Sequence, residues 1–149
     1  MRLLIDADGC PVVDITLRIA KGHGIECFIL CDTSHYFERE GATTITVSKG
    51  PDSVDFKIAN MVKPGDIVVT QDYALAAMCL ARRAIPISQD GMIYNDDNIG
   101  GLLEQRHMAQ RIRRGGGRLS GPSKRTDEQN AAFGLALGNL IGKYESKKH

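Results

Sequence analysis

The feature that most constrains this chain is a short apolar run, Leu3-Leu4-Ile5, that leads directly into Asp6-Ala7-Asp8-Gly9. Such a run is typical of a buried strand. Because open α/β sheets bind ligands at the carboxyl ends of their strands, we expect Asp6 and Asp8 in that crevice. Two nearby carboxylates repel each other, and a hard divalent cation, Mg²⁺ or Mn²⁺, is their ordinary counter-charge. The sequence therefore predicts a metal site. A helix-capping residue is the alternative for Asp8.

The remaining apolar segments alternate between strand and helix patterns. Further strands are predicted at 25–31, 43–47, 67–70 and 84–88, and helices at 11–22, 52–62, 73–83, 99–114 and 126–144. Pro86 marks the last strand as an edge, and Asp90-Gly91 predicts a hairpin turn. This order indicates one α/β domain over residues 1–149, with three layers and a mainly parallel sheet.

Two more aspartates are expected to join the first pair. Asp72 follows the strand 67–70, and Asp55 lies in the first turn of the preceding helix, which begins at the same rim as the strands end. Four carboxylates from distant segments suit metal-assisted hydrolysis of a phosphodiester. The alternatives are a helix-dipole role for Asp55 and an N-cap for Asp72. Asp66 precedes its strand and is expected at the opposite rim.

Charge is distributed unevenly along the chain. Residues 1–104 carry nine Lys/Arg against fifteen Asp/Glu, whereas residues 105–125, here called the basic arm, carry seven cations and no acid. An acidic body with a basic arm suits a polyanion such as nucleic acid, and a solvated face is the alternative. The candidate nucleic-acid-binding residues are Arg106, His107, Arg111, Arg113, Arg114, Arg118, Lys124 and Arg125.

The basic arm is expected to consist of a helix end followed by a flexible linker. The linker begins at the glycines 115–117 and runs to Pro122. Thr126-Asp127-Glu128-Gln129 forms a capping-box pattern that opens the last helix. That helix is predicted to dock on the body through Phe133, Leu135, Leu137, Leu140 and Ile141.

Composition excludes several classes of protein. Hydrophobic residues make up 42% of the chain, yet none of its apolar runs reaches the roughly 20 residues that span a membrane. The pattern of a secretory signal is absent, so we expect a cytoplasmic protein without a membrane partner. The sequence has four cysteines and no C-x-x-C motif, which indicates free thiols in a reducing compartment.

Several motifs together resemble one bacterial family. They are Asp6-Ala7-Asp8-Gly9-Cys10-Pro11, the segment 65–77, Arg106-His107, Arg113-Arg114-Gly115-Gly116 and Gly121-Pro122. The chain resembles the YaiI/YqxD family over nearly its whole length. That family is similar to the PIN-domain nucleases, which share an α/β fold and cut RNA with Mg²⁺ or Mn²⁺ held by an acidic cluster.

The resemblance implies a role for individual residues. Asp6, Asp55 and Asp72 match three acids of the PIN cluster, and Asp8 stands in for the fourth. Thr33 or Ser34 matches a polar rim residue after the second strand, and Thr70 belongs to the matched segment around Asp72. The implied function is a metal-dependent nuclease acting on RNA more readily than on DNA. PIN-like domains often pair, so a homodimer is left open beside a monomer.

Two other functions are left open by the residues. Asp-x-Asp-Gly after an apolar strand is also the opening motif of haloacid-dehalogenase-like phosphatases, with Asp6 as the nucleophile. Against this, Gly65-Asp66 precedes a strand where their acidic pair follows one, and Cys10 stands where a threonine is expected. The second alternative is a non-catalytic RNA-binding protein with a relict acidic site, in which the basic arm makes the contacts.

Overall fold

The fold is an α/β arrangement, seen in a computed structural model that describes residues 1–34, 36, 38–50, 52–117 and 124–147. The strands are β1 (Leu3–Asp6), β2 (Cys27–Asp32), β3 (Thr43–Val47), β4 (Ile67–Val69) and β5 (Ile85–Ile87). The helices are α1 (Val13–Gly22), α2 (Ser53–Met61), α3 (Tyr73–Ala81), α4 (Ile99–Arg114) and α5 (Asp127–Lys147). The five strands form one all-parallel sheet in the order β3-β2-β1-β4-β5.

The central strand explains why the apolar run near the N-terminus is so uniform. β1 lies between β2 and β4, and the side chains of Leu3, Leu4 and Ile5 are 0% exposed. Leu3 and Ile5 face the layer of α1 and α5, whereas Leu4 faces the layer of α2 and α3. Both faces of the sheet are therefore covered by helices, which is the reason that parallel strands read as continuous apolar runs.

The edge strand and the turn after it confirm two local predictions. β5 lies at one edge of the sheet, as Pro86 indicated. Beyond it the chain turns back, so that Ile93 forms an antiparallel bridge with Ile87. Gly91 occupies the turn with a φ of 91°, and an added Cβ would lie 2.9 Å from the Cβ of Ala136 on α5. The turn thus supports the C-terminal helix directly.

The last helix begins with the predicted capping box. The Oε1 atom of Gln129 accepts from the backbone N–H of Thr126 at 2.8 Å, and Thr126 Oγ1 accepts from the N–H of Gln129 at 3.3 Å. α5 docks through buried Phe133, Leu137, Leu140 and Ile141. The expectation for Leu135 was wrong, since this side chain is 68% exposed on the outer face.

α4 differs from the other helices in its burial. It packs beside α3 but contributes no buried residue of its own. Its basic half is exposed, including Arg111, Arg113 and Arg114 in the last turn. No helix in the described part of the chain is both long and apolar enough to cross a membrane.

Candidate functional site

An acidic cleft lies at the carboxyl ends of the central strands. Its volume is about 570 Å³. The aspartates that line it are Asp6, Asp8, Asp32, Asp52, Asp55 and Asp72. The four aspartates singled out in the sequence therefore lie together, although up to 66 residues separate them along the chain (Asp6 and Asp72). The parallel topology produces this convergence, because every strand of the sheet ends on the same side.

Thr70 joins the aspartates of β1 and α3. Its Oγ1 donates to Asp6 Oδ2 at 2.8 Å and accepts from the backbone N–H of Asp72 at 3.0 Å. Its own carbonyl accepts from the hydroxyl of buried Tyr94 at 3.1 Å. Thr70 is only 2% exposed, so it positions Asp6 and Asp72 from below the cleft floor rather than facing a ligand.

Asp72 serves two purposes at once. As the N-cap of α3, its Oδ1 accepts from the backbone N–H groups of Ala74 and Leu75 at 2.9 and 3.1 Å. The same oxygen accepts from Nη1 of Arg106 at 3.4 Å. The N-cap alternative is thus confirmed, and it fixes the carboxylate at the cleft rather than removing it.

The pKa values show how crowded the carboxylates are. Burial raises the pKa of Asp6 to about 6, the charges of Asp72 and Asp8 add to the rise, and the Thr70 hydrogen bond opposes it. Burial, the nearby carboxyl of Asp72 and the charges of Asp6 and Asp52 raise the pKa of Asp55. The cluster therefore holds more negative charge than its surroundings neutralise.

The cluster suits a divalent ion by the kind of donor atoms it offers, but these atoms are not arranged as a coordination site. Its donors are carboxylate oxygens, the ligands that Mg²⁺ and Mn²⁺ prefer. As placed, no group of three His, Cys, Asp or Glu side chains in the described ranges is arranged to hold a metal ion. Burial and mutual repulsion raise the pKa values of Asp6 and Asp55, so a bound cation would supply the counter-charge that the cluster lacks.

Two further aspartates line the cleft, Asp32, which the sequence places at the carboxyl end of the second strand, and Asp52. Asp32 ends β2 and lines the cleft, whereas the predicted rim residues Thr33 and Ser34 are exposed outside the lining. The backbone N–H of Ser34 donates to Asp32 Oδ1 at 2.8 Å. The same rule that selected Asp6, a polar residue at the carboxyl end of a buried strand, selects Asp32 as well.

Asp52 lines the cleft and has an unusual backbone conformation. Its φ of 61° is left-handed, a conformation that aspartate tolerates better than most residues. Asp52 is the N-cap residue of α2, although its side chain makes no capping hydrogen bond. A residue other than glycine in the left-handed region carries a conformational cost, and such residues cluster at functional sites.

Among the described residues of the basic arm, Arg106 is the one that meets the cleft. Arg106 lines the cleft, and His107, Arg111, Arg113 and Arg114 extend along α4 with exposed side chains. The last three of these also complement the C-terminal end of the helix dipole. Lys124 is exposed. Arg118, which the sequence also selected, lies outside the described residues.

Arg125 has a structural environment of its own. Its Nη1 donates to Asp90 Oδ1 at 2.8 Å, its Nε donates to Asn130 Oδ1 at 2.6 Å, and its Nη2 donates to the carbonyl of Gln89. These contacts tie the start of α5 to the turn after β5. Arg125 is therefore an anchor of the last helix, and its predicted contact with nucleic acid stays a prediction.

Asp66 lies at the opposite rim of the sheet, where the strands begin, as expected. Its Oδ2 pairs with Nη2 of Arg2 at 2.6 Å, and its side chain also accepts from the backbone N–H groups of Arg2 and Lys63. These donors lower the pKa of Asp66 against the effect of burial. This aspartate is a structural ion-pair partner and does not contribute to the cleft.

The stability of the metal-free protein is expected to increase on mild acidification. The folded pKa of Asp6, about 6, exceeds the ordinary value of 3.8. Protonation therefore favours the folded state as the pH falls through 6, and Asp66, whose pKa is lowered, stays ionised in this window. Asp6 alone contributes about 1 kcal/mol between about pH 8 and pH 5. Thermal melting should show a midpoint higher by about 2–4 °C at the lower pH.

Comparing the pH dependence of melting in an Asp55→Asn variant with that of the wild type separates the effect of the cluster from that of other titrating groups. This variant removes one of the crowded charges, so its melting midpoint should change less between the two pH values. A wild-type midpoint that falls on acidification, or an unchanged pH dependence in the variant, would contradict the assignment of mutual repulsion to the cleft.

Comparison with known sequences identifies similar proteins of one kind. A family model described as "Uncharacterized BCR, YaiI/YqxD family" matches residues 4–143. A UPF0178 protein of Exiguobacterium sibiricum is 53% identical over 141 residues, covering 95% of this chain and 96% of the relative. A UPF0178 protein of Clostridium novyi is 42% identical over the full length of both chains. No solved structure matches the chain.

Proposed function

We propose that this chain, which belongs to the YaiI/YqxD family, is a Mg²⁺- or Mn²⁺-dependent nuclease of the PIN-like kind. The observation that supports this most strongly is the meeting of Asp6, Asp8, Asp55 and Asp72 in one cleft beside Arg106. The raised pKa values of Asp6 and Asp55 agree with it, because crowded carboxylates in a cleft are typical of functional sites.

Individual residues would have distinct roles in this activity. Asp6, Asp8 and Asp72, with Asp55 beside them, would hold the ion, which when bound supplies Lewis-acid activation of a phosphodiester and of water. Thr70 holds Asp6 and the backbone of Asp72 in register through its two hydrogen bonds. Arg106 provides a guanidinium at the same cleft, the group that suits a phosphate oxygen geometrically.

The substrate in this proposal is nucleic acid, and RNA is favoured over DNA by the likeness to PIN domains. A polyanion cannot approach six aspartates unless cations screen them. The basic arm provides such charge next to the cleft, because Arg106 lines the cleft and the exposed arginines of α4 continue from it. The phosphate backbone would thus follow α4 towards the metal site.

A cleavage assay tests the proposal directly. The purified chain is incubated with pooled single-stranded RNA and DNA oligonucleotides in Mn²⁺, in Mg²⁺ and in excess chelator. We expect cleavage with either ion, restored after chelation by adding the ion back. Binding without cleavage in either ion would favour the non-catalytic RNA-binding protein. Covalent trapping of Asp6 by a phosphate mimic, with no oligonucleotide cleaved, would favour the phosphatase.

A further inference from the structure

We propose that Tyr73 is a stacking platform for one nucleobase, so that the cleft selects single-stranded nucleic acid at the point of cleavage. This inference rests on the proposed function and adds the substrate class. Tyr73 is the first residue of α3, and among the described residues that line the cleft it is the one aromatic side chain. It follows Asp72 in the chain and is half-buried.

The tyrosine ring is supported by a contact with a second, buried tyrosine. Tyr73 and Tyr94 make an edge-to-face contact with ring centroids 6.0 Å apart and an interplanar angle of 63°. Tyr94 is itself 1% exposed and donates its hydroxyl to the carbonyl of Thr70 at 3.1 Å. Because Thr70 also binds Asp6 and Asp72, the hydroxyl of Tyr94 connects the ring that supports Tyr73 to the carboxylates.

The groups beside the ring match the parts of a nucleotide. Arg106 approaches Asp72 at 3.4 Å, so a guanidinium, a carboxylate cluster and an aromatic ring share one cleft. A phosphate would meet the guanidinium while its base meets the ring. The cleft volume of about 570 Å³ lies in the range of about 300–1,000 Å³ that is ordinary for small-ligand sites.

Stacking on Tyr73 requires an unstacked base. In a duplex both faces of a base are covered by its neighbours, so it can reach an aromatic ring only by flipping out at a cost of a few kcal/mol. A single strand presents its bases without that cost. Stacking on an aromatic ring tolerates any sequence, because every base has a π-face. The cleft is therefore expected to choose by strandedness rather than by base identity.

A binding experiment on the wild-type chain tests the platform. A single-stranded eight-nucleotide oligonucleotide is compared with a set in which one position at a time is abasic, with Ca²⁺ present to occupy oxygen ligands. We expect one position at which loss of the base weakens binding by about 5- to 100-fold, the equivalent of one stacked base. The matching duplex should bind more weakly than the single strand by a similar factor.

Variants assign the effect to Tyr73. Tyr73→Leu should weaken binding of the intact oligonucleotide by the same factor and remove the abasic effect, whereas Tyr73→Phe should retain both. Phe56→Leu is the matched control, because Phe56 is 57% exposed and does not line the cleft. The chain contains no tryptophan, so Tyr73→Trp also gives a single tryptophan, which can be excited apart from the remaining tyrosines and whose emission should be quenched by the single strand.

The outcomes separate this inference from the proposed function. The wild-type chain could bind and cleave single strands with the same affinity for every abasic oligonucleotide. That result overturns the stacking role of Tyr73 and leaves the proposed nuclease function intact. An abasic effect that persists in Tyr73→Leu also overturns it. A wild-type chain that binds no oligonucleotide defeats the proposed function and the platform with it.

Discussion

Asp6→Asn and Asp72→Asn are each expected to reduce metal-dependent cleavage by at least about 100-fold. Even partners that only orient a metal ligand cost about 10- to 100-fold when removed, and these two carboxylates are proposed as ligands themselves. Asparagine is the right replacement, because it caps a helix as well as aspartate does and can still accept the hydrogen bond that Thr70 gives Asp6. Calorimetric titration with Mn²⁺ should show weakened binding in both variants.

The stability of these variants distinguishes a functional acid from a structural one. At about pH 8 without metal, Asp6→Asn should melt at or above the wild-type temperature because repulsion within the cluster is relieved. Asp66→Asn is the matched control, because it is the same replacement at a buried acid on the rim opposite the cleft. Weakening its pair with Arg2 should cost up to about 3–5 kcal/mol of unfolding free energy and leave Mn²⁺ affinity unchanged.

Three results would contradict the metal site. Unchanged Mn²⁺ affinity in both cleft variants would show that the ion does not bind in the cleft. A large loss of stability in Asp6→Asn, comparable to that of Asp66→Asn, would make Asp6 a structural residue. Retained cleavage in both variants would place the chemistry elsewhere in the chain.

Local pattern was sufficient to predict most of the scaffold. The β-branched segment 43–47 and the helix 99–114 have the predicted bounds in the structure. The continuous apolar character of β1 predicted burial on both faces, which occurs because helices cover both sides of a parallel sheet. The convergence of Asp6, Asp8, Asp55 and Asp72 also followed from topology, since the end of each strand is fixed by the direction of the sheet.

What the sequence did not predict depends on tertiary contacts. Asp52 lines the cleft and has a left-handed backbone that no periodicity shows. Leu135 looked apolar enough to dock, but the face that α5 turns to α1 leaves it exposed. Arg125 was grouped with the basic arm by charge, and only its contacts with Asp90 and Asn130 show that it anchors a helix. Charge and hydropathy alone cannot separate such roles.

The basic arm gives the second large expected effect. Arg113→Glu combined with Arg114→Glu should weaken binding of single-stranded RNA by about 10- to 100-fold at about 0.1 M salt, whatever the sequence, because backbone contacts carry no sequence information. Both side chains are exposed in the last turn of α4, so the fold and the Mn²⁺ affinity should be unaffected. Fluorescence anisotropy with several labelled oligonucleotides measures the effect.

The salt dependence of binding identifies its cause. If the arm neutralises about three to five phosphates, log K should fall against log salt with a slope of about −2 to −4, taking about −0.7 per contact with a single strand. The double variant should flatten that slope by about 1.4. Arg18→Glu combined with Lys21→Glu is the matched control, with the same charge change at exposed positions on α1. An equal loss of affinity in the control would show that the net charge of the protein, rather than the position of the arm, determines binding. Wild-type affinity in the arm variant would show that its arginines only complement the end of α4, and the nuclease proposal would then rest on the aspartates and Arg106 alone.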